Sequence, residues 1–206
     1  MDNLNVKRWT GAFIGGLFLS GIVQGIVQDI LPDLLPEKPV MALFPLDLSL
    51  GLTIGAIQAF VLRRYLVRAW IWVVATGVAV AAAEVVAGFI LHDTMGLKFG
   101  FYRSPMPEAL TALFIVGVTL GVCLGSAQWL VLFQAGYRLR SLLWIPVTII
   151  GCTAAIAVAD YLAVPEAMLM SFLGLLVGLI LGGVIYGVLT GLVLTKFILN
   201  PKDTQS

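Results

Sequence analysis

Long apolar blocks, separated by short polar or charged clusters, follow one another along this chain. The blocks predict helices at residues 10–28, 44–62, 69–91, 109–132, 141–163 and 168–195. Each block has about 20 residues or more, the length that a helix needs to cross about 30 Å of hydrocarbon. No block alternates apolar with polar residues, as the strands of a membrane barrel do. The pattern predicts an all-α membrane protein, with six transmembrane helices in one domain over residues 1–206.

Composition and charge narrow the function classes. The 206 residues are 60% hydrophobic and only 11% charged, which is far from the balance of a water-soluble domain. A net charge of +1 gives no reason to expect nucleic-acid binding. One histidine and two cysteines cannot furnish a zinc site or a disulfide framework. The sequence also shows no nucleophilic side chain beside a base, so we expect no metal, no cofactor and no enzymatic activity.

The basic residues divide nine to three between the two sides that six crossings define. The side of the N-terminus holds Lys7, Arg8, Arg63, Arg64, Arg68, Arg138, Arg140, Lys196 and Lys202. The other side holds Lys38, Lys98 and Arg103. Because short cytoplasmic loops carry the excess of Lys and Arg, both termini are predicted to be cytoplasmic. Gln24, Gln28 and Asp29 stand where a cleavage site would be needed, so the first block is predicted to be an uncleaved span.

Aromatic side chains gather near the predicted inner boundary of the membrane. They are Trp9, Tyr65, Trp70, Trp72, Trp129, Tyr137 and Trp144. Amphipathic rings are favoured at the membrane interface, so we expect these side chains to lie there. Cys123 and Cys152 fall inside the fourth and fifth blocks, where cysteine usually acts as a small packing residue.

One motif recurs along the chain, with Gly-x-x-x-Gly followed by Gln three residues later and by Val-Leu at its end. It occupies residues 51–62 and, shifted by 70, residues 121–132. A variant with Thr in place of Gln occupies residues 183–194, and helix one has a shorter Gly21-x-x-Gln24. With a small insertion, Trp70 and Gly77 align with Trp144 and Gly151. Helices two and three are therefore predicted to be a parallel copy of helices four and five.

The motif has a physical meaning in a membrane. Two glycines one turn apart allow close approach of a neighbouring helix, and a nearby amide must find a hydrogen bond that lipid cannot offer. We expect packing and an inner polar layer at Gly51, Gly55, Gln58, Gly121, Gly125, Gln128, Gly183, Gly187 and Thr190. The alternative is that the polar members line a polar cavity.

The same motif resembles the repeats of a known group of proteins. The ending Gly-x-x-Gln-Trp-Leu-Val-Leu at residues 125–132, and its variant at residues 55–62, is similar to repeats of small multi-pass membrane proteins abundant in cyanobacteria. A basic residue and a Trp-led helix follow both copies, as they do in that group. Ala59 and Thr190 depart from the pattern. Those proteins have no assigned function, so the resemblance implies only a bacterial plasma membrane or thylakoid membrane.

Three acidic residues fall within the predicted spans, toward the outer side: Asp47, Glu84 and Asp160. A carboxylate at such depth is costly unless it is paired, hydrated or protonated, which makes it a candidate functional group. Together with Gln24 and Gln28, these residues are predicted to form an outward-facing polar pocket. The alternative for Asp47 and Asp160 is a solvated helix end. His92, at the outer end of helix three, is expected to be interfacial, with a pigment or haem ligand as the alternative.

Two functions from different classes fit these features. The first is an interaction or assembly protein that associates with a larger membrane complex or with a second copy of itself, through its glycine faces. The second is a transporter or a cation- or solute-binding protein that uses the acidic residues. In both cases the lipid bilayer is the expected surrounding.

Overall fold

The computed structural model describes residues 5–30, 39–91, 106–163 and 168–199, and these residues are helical almost throughout. The long helices are α1 (Val6–Ile30), α2 (Pro39–Leu62), α3 (Ala69–Phe89), α4 (Met106–Leu132), α5 (Trp144–Ala163) and α6 (Met168–Val193). A π-helical turn, Phe133–Tyr137, and a 3-10 segment, Arg138–Leu143, join α4 to α5, and α6 ends in a π-helical turn, Leu194–Ile198. The described residues contain no strand, which confirms the predicted all-α fold with six helices.

Five of the described helices are long and apolar enough to cross a membrane. The segments are Pro45–Leu62, Ala69–Phe89, Thr111–Tyr137, Arg140–Ala159 and Leu176–Ile198. They belong to α2 through α6, and they are consistent with a lipid bilayer around the protein. The crossing of α1 stays a prediction.

The six helices pack in chain order around a closed ring. Each helix contacts the next one along the chain, and α6 contacts α1 to close the ring. The α2–α3 connection is short because Tyr65 and Leu66 both donate their backbone N–H to the carbonyl of Leu62, which reverses the chain at once. We call the end of the bundle with this connection and the α4–α5 connection the basic end. It carries Arg63, Arg64, Arg68, Arg138 and Arg140.

Large apolar side chains fill the centre of the ring in two layers. The layer nearer the basic end is built on six fully buried side chains: Trp9, Trp72, Trp144, Leu62, Leu132 and Leu194. The next layer contains Phe13, Ile54, Ala79, Val80, Leu124, Cys152 and Tyr186. Cys152 is buried among apolar neighbours in this second layer, and both cysteines are free. Large side chains therefore occupy the centre of the ring in both of these layers.

Candidate functional site

Three tryptophans meet at the centre of the bundle near the basic end. Trp9, Trp72 and Trp144 come from α1, α3 and α5, and none of their side chains is exposed. Their ring centroids are 5.8 to 6.1 Å apart, with interplanar angles of 65° to 82°. These are edge-to-face arrangements, which the charge distribution of aromatic rings favours. The three indoles therefore form one packed unit that ties together every second helix of the ring.

Each indole N–H of this triad donates a hydrogen bond to a polar side chain on an adjacent helix. Trp72 donates to Oε1 of Gln58 at 2.9 Å, and Trp144 donates to Oε1 of Gln128 at 3.0 Å. Trp9 donates to Oγ1 of Thr190 at 2.9 Å. The three polar partners lie on α2, α4 and α6, the helices that carry the repeated motif. The bonds therefore divide the ring into three equivalent pairs: pair A (α2 and α3), pair B (α4 and α5) and pair C (α6 and α1).

The repeated glycines pack in the same register in all three pairs. The glycine three residues before each Gln or Thr faces the residue that directly follows the paired tryptophan. A Cβ on these glycines would lie 3.0 Å from Cα of Val73 for Gly55, 3.1 Å from Cα of Ile145 for Gly125, and 2.8 Å from Cα of Thr10 for Gly187. One turn earlier, Gly51 and Gly121 face the backbone of Gly77 and Ile149 at still closer range, whereas Gly183 meets only side-chain atoms, of Leu17 and Ile14. The glycines that face backbone therefore allow the close approach of the paired helices.

The structure corrects the alignment of the second half of the repeat. Trp72, rather than Trp70, is the counterpart of Trp144, because it is Trp72 that bonds to the repeated glutamine. Gln58 and Gln128 are 70 residues apart, whereas Trp72 and Trp144 are 72 apart, so the connection of pair B has two extra residues. Trp70 is 64% exposed. Residues 70 and 72 point to opposite sides of a helix, and the apolar sequence did not indicate which side faces inward.

The structure shows which way three of the expected interfacial aromatic residues point. The side chains of Trp9, Trp72 and Trp144 are buried inside the bundle, in the layer nearer the basic end, and their depth in the membrane stays a prediction. An indole is accepted at such a position when its N–H finds an acceptor, and each of the three has one. The signal that sequence reasoning missed is the joint recurrence of a motif glutamine and a tryptophan 14 to 16 residues later.

Helix α1 is the second half of the third copy, which sequence reasoning also missed. Trp9 stands where Trp72 and Trp144 stand in the other pairs, but it precedes its partner Thr190 by most of the chain. In pair C the tryptophan precedes its polar partner along the chain, whereas in pairs A and B it follows, so comparison of segments along the chain could not reveal the third pair. The shorter match at Gly21 and Gln24 has no such role, since a Cβ on Gly21 would meet nothing within 4 Å.

Hydrogen bonds between the pairs are unequal because the third copy differs in sequence. Nε2 of Gln128 donates to Oγ1 of Thr76 at 2.9 Å and lies 3.4 Å from Oε1 of Gln58, both in pair A. Nε2 of Gln58 is buried and has no partner. By the same register, the counterpart of Thr76 in pair C is Phe13, which has no acceptor. The loss of one hydroxyl therefore accounts for the unpartnered amide.

The expected outward pocket is described only in part. Asp47 on α2 and Glu84 on α3 are both half-buried, and their carboxyl groups lie within electrostatic reach of each other. Gln24 on α1 is half-buried as well. The side chains of Gln28 and Asp160, and all of His92, lie outside the described residues. Among the residues that the structure describes, no group of three His, Cys, Asp or Glu side chains could hold a metal ion.

The geometry of the network indicates what it does chemically. Gln58, Gln128 and Thr190 are almost completely buried, and they contact indoles and threonines. Their polar atoms fix neighbouring helices against one another, since a buried amide is costly when it has no partner. No protein-family model, curated protein or solved structure matches this chain.

Proposed function

We propose that this protein is a membrane-embedded assembly protein, which associates through α1 with a larger membrane complex. The observation that carries the proposal is that two glycines on the outward face of α1 are exposed and have open space around them. Gly11 and Gly15 are exposed, and a Cβ on either would meet nothing within 4 Å. They are four residues apart, so they lie on one face of the helix and leave room for a close helix–helix contact.

The exposed glycines of α1 have the same spacing as the repeat glycines that pack inside the bundle. Gly51, Gly55, Gly121, Gly125 and Gly187 are the small residues of contacts inside the bundle. Gly11 and Gly15 have the same spacing and no contact of this kind. Beyond them on the same face, Leu19 and Ile22 are large and exposed. The face thus has the composition of the internal contacts, but none of the described residues packs against Gly11 or Gly15.

The packing of the three tryptophans at the centre of the ring supports assembly over transport. The tryptophan triad closes the centre of the ring near the basic end, and its polar partners are bonded to other side chains. A solute path along the axis of the ring would have to displace three interlocked indoles. Among the described residues, few side chains could act in catalysis or transport, which also suits a protein that functions by binding other membrane proteins.

The test compares Gly15→Leu with Gly21→Leu. Both glycines have open space around them, so neither change should alter the melting temperature of the bundle in detergent. Gly21 is six residues from Gly15 and points to another side of the helix, which makes it a matched control. Each tagged variant is extracted from native membranes in mild detergent, and the mass of the particle is measured by light scattering. We expect Gly15→Leu alone to reduce that mass to the mass of the free chain, whereas equal masses for both variants would refute the proposal.

A second candidate function is cation or solute binding at the end opposite the basic end. The specific observation in its favour is that the Asp47 and Glu84 carboxyl groups, on the adjacent helices α2 and α3, lie within electrostatic reach of each other. A bound cation would relieve the repulsion between them. If they bind one, millimolar Na⁺ or Ca²⁺ should raise the melting temperature of the wild type in detergent, and Glu84→Gln should remove that rise while the protein stays folded. Equal responses of wild type and variant to the cation would exclude this function.

We also propose the orientation of the bundle and its membrane. The basic end faces the cytoplasm, and α1 crosses the membrane as a sixth span, which brings both termini to the cytoplasmic side. The division of basic residues supports this orientation. The resemblance of the repeat to cyanobacterial membrane proteins supports a bacterial plasma or thylakoid membrane.

A further inference from the structure

A cavity of about 300 Å³ lies at the basic end, between the α2–α3 connection and the end of α4. Its polar lining includes Arg68 and Gln134, and its apolar lining includes Val67, Ile71 and Val131. The apolar segment of α2 ends at Leu62, and that of α3 begins at Ala69. The cavity therefore lies at the ends of three apolar segments, since residues 65–68 fall between these two and Gln134 and Ala135 fall in the last turn of the third, Thr111–Tyr137.

Beside the cavity, pair B lacks large side chains that the other pairs have. Counting four residues from the equivalent Leu62, Leu132 and Leu194 leads to Leu66, Gly136 and Ile198. Leu66 and Ile198 are only 3% and 2% exposed and plug the core beneath their helix ends. At Gly136 a Cβ would meet nothing within 4 Å, and its φ of 99° disfavours any side chain.

The residue before this glycine, Ala135, is also small and lines the cavity. The equivalent positions in the other two pairs hold the aromatic residues Tyr65 and Phe197. Two small residues in succession thus replace two large ones in pair B alone. The cavity therefore lies beside a specific departure from the three-fold pattern, and Arg68 lines it on the other side.

The lining combines the two chemistries of a phospholipid. The Arg68 side chain is exposed at the edge of the cavity, and a guanidinium can give two parallel hydrogen bonds to one phosphate. Arg63 and Arg64 lie in the same connection and add positive charge. Val67 is 102% exposed, directly before Arg68 in the α2–α3 connection. An exposed valine in this connection is suited to contact the acyl chains of lipids.

We propose that this cavity binds the phosphate headgroup of an anionic phospholipid from the leaflet at the basic end. Arg68 holds the phosphate, Gln134 donates its amide N–H to a phosphate or glycerol oxygen, and the acyl chains leave past Val67 and Ile71. The proposal does not rest on the proposed function, because neither Gly11 nor Gly15 lines this cavity.

The experiment measures lipid binding by native mass spectrometry of the purified full chain. Phosphatidylglycerol, phosphatidylcholine and inorganic phosphate are added separately to the wild type and to Arg68→Gln, Ala135→Phe and Lys7→Gln. Lys7 is an exposed basic residue that does not line the cavity, so Lys7→Gln controls for general charge. We expect Arg68→Gln to weaken phosphatidylglycerol binding about tenfold, which is the loss of a charged hydrogen-bonded contact. Ala135→Phe should abolish binding by filling the cavity.

Three results would overturn the proposal. The first is equal binding of phosphatidylcholine and phosphatidylglycerol to the wild type. The second is unchanged binding of phosphatidylglycerol by Arg68→Gln, or a loss of the same size in Lys7→Gln. The third is inorganic phosphate competing as strongly as the lipid, which would assign the site to a free anion. Should Ala135→Phe fail to fold, Arg68→Gln decides alone, since an exposed side chain can be changed without harm to the core.

Discussion

Gln128 joins two helix pairs, and its replacement by leucine tests whether the buried network stabilises the bundle. Its Oε1 accepts the indole N–H of Trp144, and its Nε2 donates to Thr76 across the boundary between pairs B and A. Gln128→Leu leaves the Trp144 N–H buried without an acceptor, which costs about 1–3 kcal/mol. The bond to Thr76 adds about 0.6 kcal/mol, the average for hydrogen bonds between membrane helices. The expected loss in the free energy of unfolding is therefore about 1.6–3.6 kcal/mol.

A double-mutant cycle with Trp144→Phe separates the hydrogen bond from the change in shape. Each single variant leaves one polar group unpartnered in the core, whereas the double variant leaves neither. The double variant should therefore lose less stability than the sum of the two single losses, by about 1–2 kcal/mol. The assay is reversible unfolding in mixed detergent micelles, with Gln134→Leu as a control because Gln134 is exposed. Losses that add to within about 0.5 kcal/mol would show that the bond between Trp144 and Gln128 contributes nothing specific.

Two further predictions concern the α2–α3 hairpin. Trp72→Phe should lower the melting temperature in detergent, because it leaves Oε1 of Gln58 without its indole donor, whereas Trp70→Phe should change it little because Trp70 is largely exposed. Equal effects of the two variants would contradict the assignment of Trp72 to the repeat. In a background with Cys123 and Cys152 replaced by alanine, Val67→Cys should react with a membrane-impermeant maleimide only after the cells are opened, because the basic end is proposed to be cytoplasmic. Full labelling of intact cells would reverse that orientation.

The sequence by itself determined that the chain is helical and which segments form the helices. The reason is that lipid offers no hydrogen bonds to the backbone. A block of about 20 apolar residues inside a membrane must therefore pair its own N–H and C=O groups, which a helix does. The predicted end of α2 at residue 62 and the predicted start of α3 at residue 69 agree with the helices of the structure. The spacing of Gly51, Gly55 and Gln58 was also visible, because a local motif needs no knowledge of its neighbours.

The tertiary structure alone decided which faces point inward and which helices form pairs. A helix that is apolar all round carries no periodic signal, so the inward turn of Trp72, and the outward turn of Trp70, followed only from packing. The pairing of α1 with α6 depends on closure of the ring, which joins residues almost the whole chain apart. The departures at Phe13 and Gly136 acquire meaning only beside their counterparts in the other pairs, because an unpartnered amide or a missing core side chain exists only between segments brought together by folding.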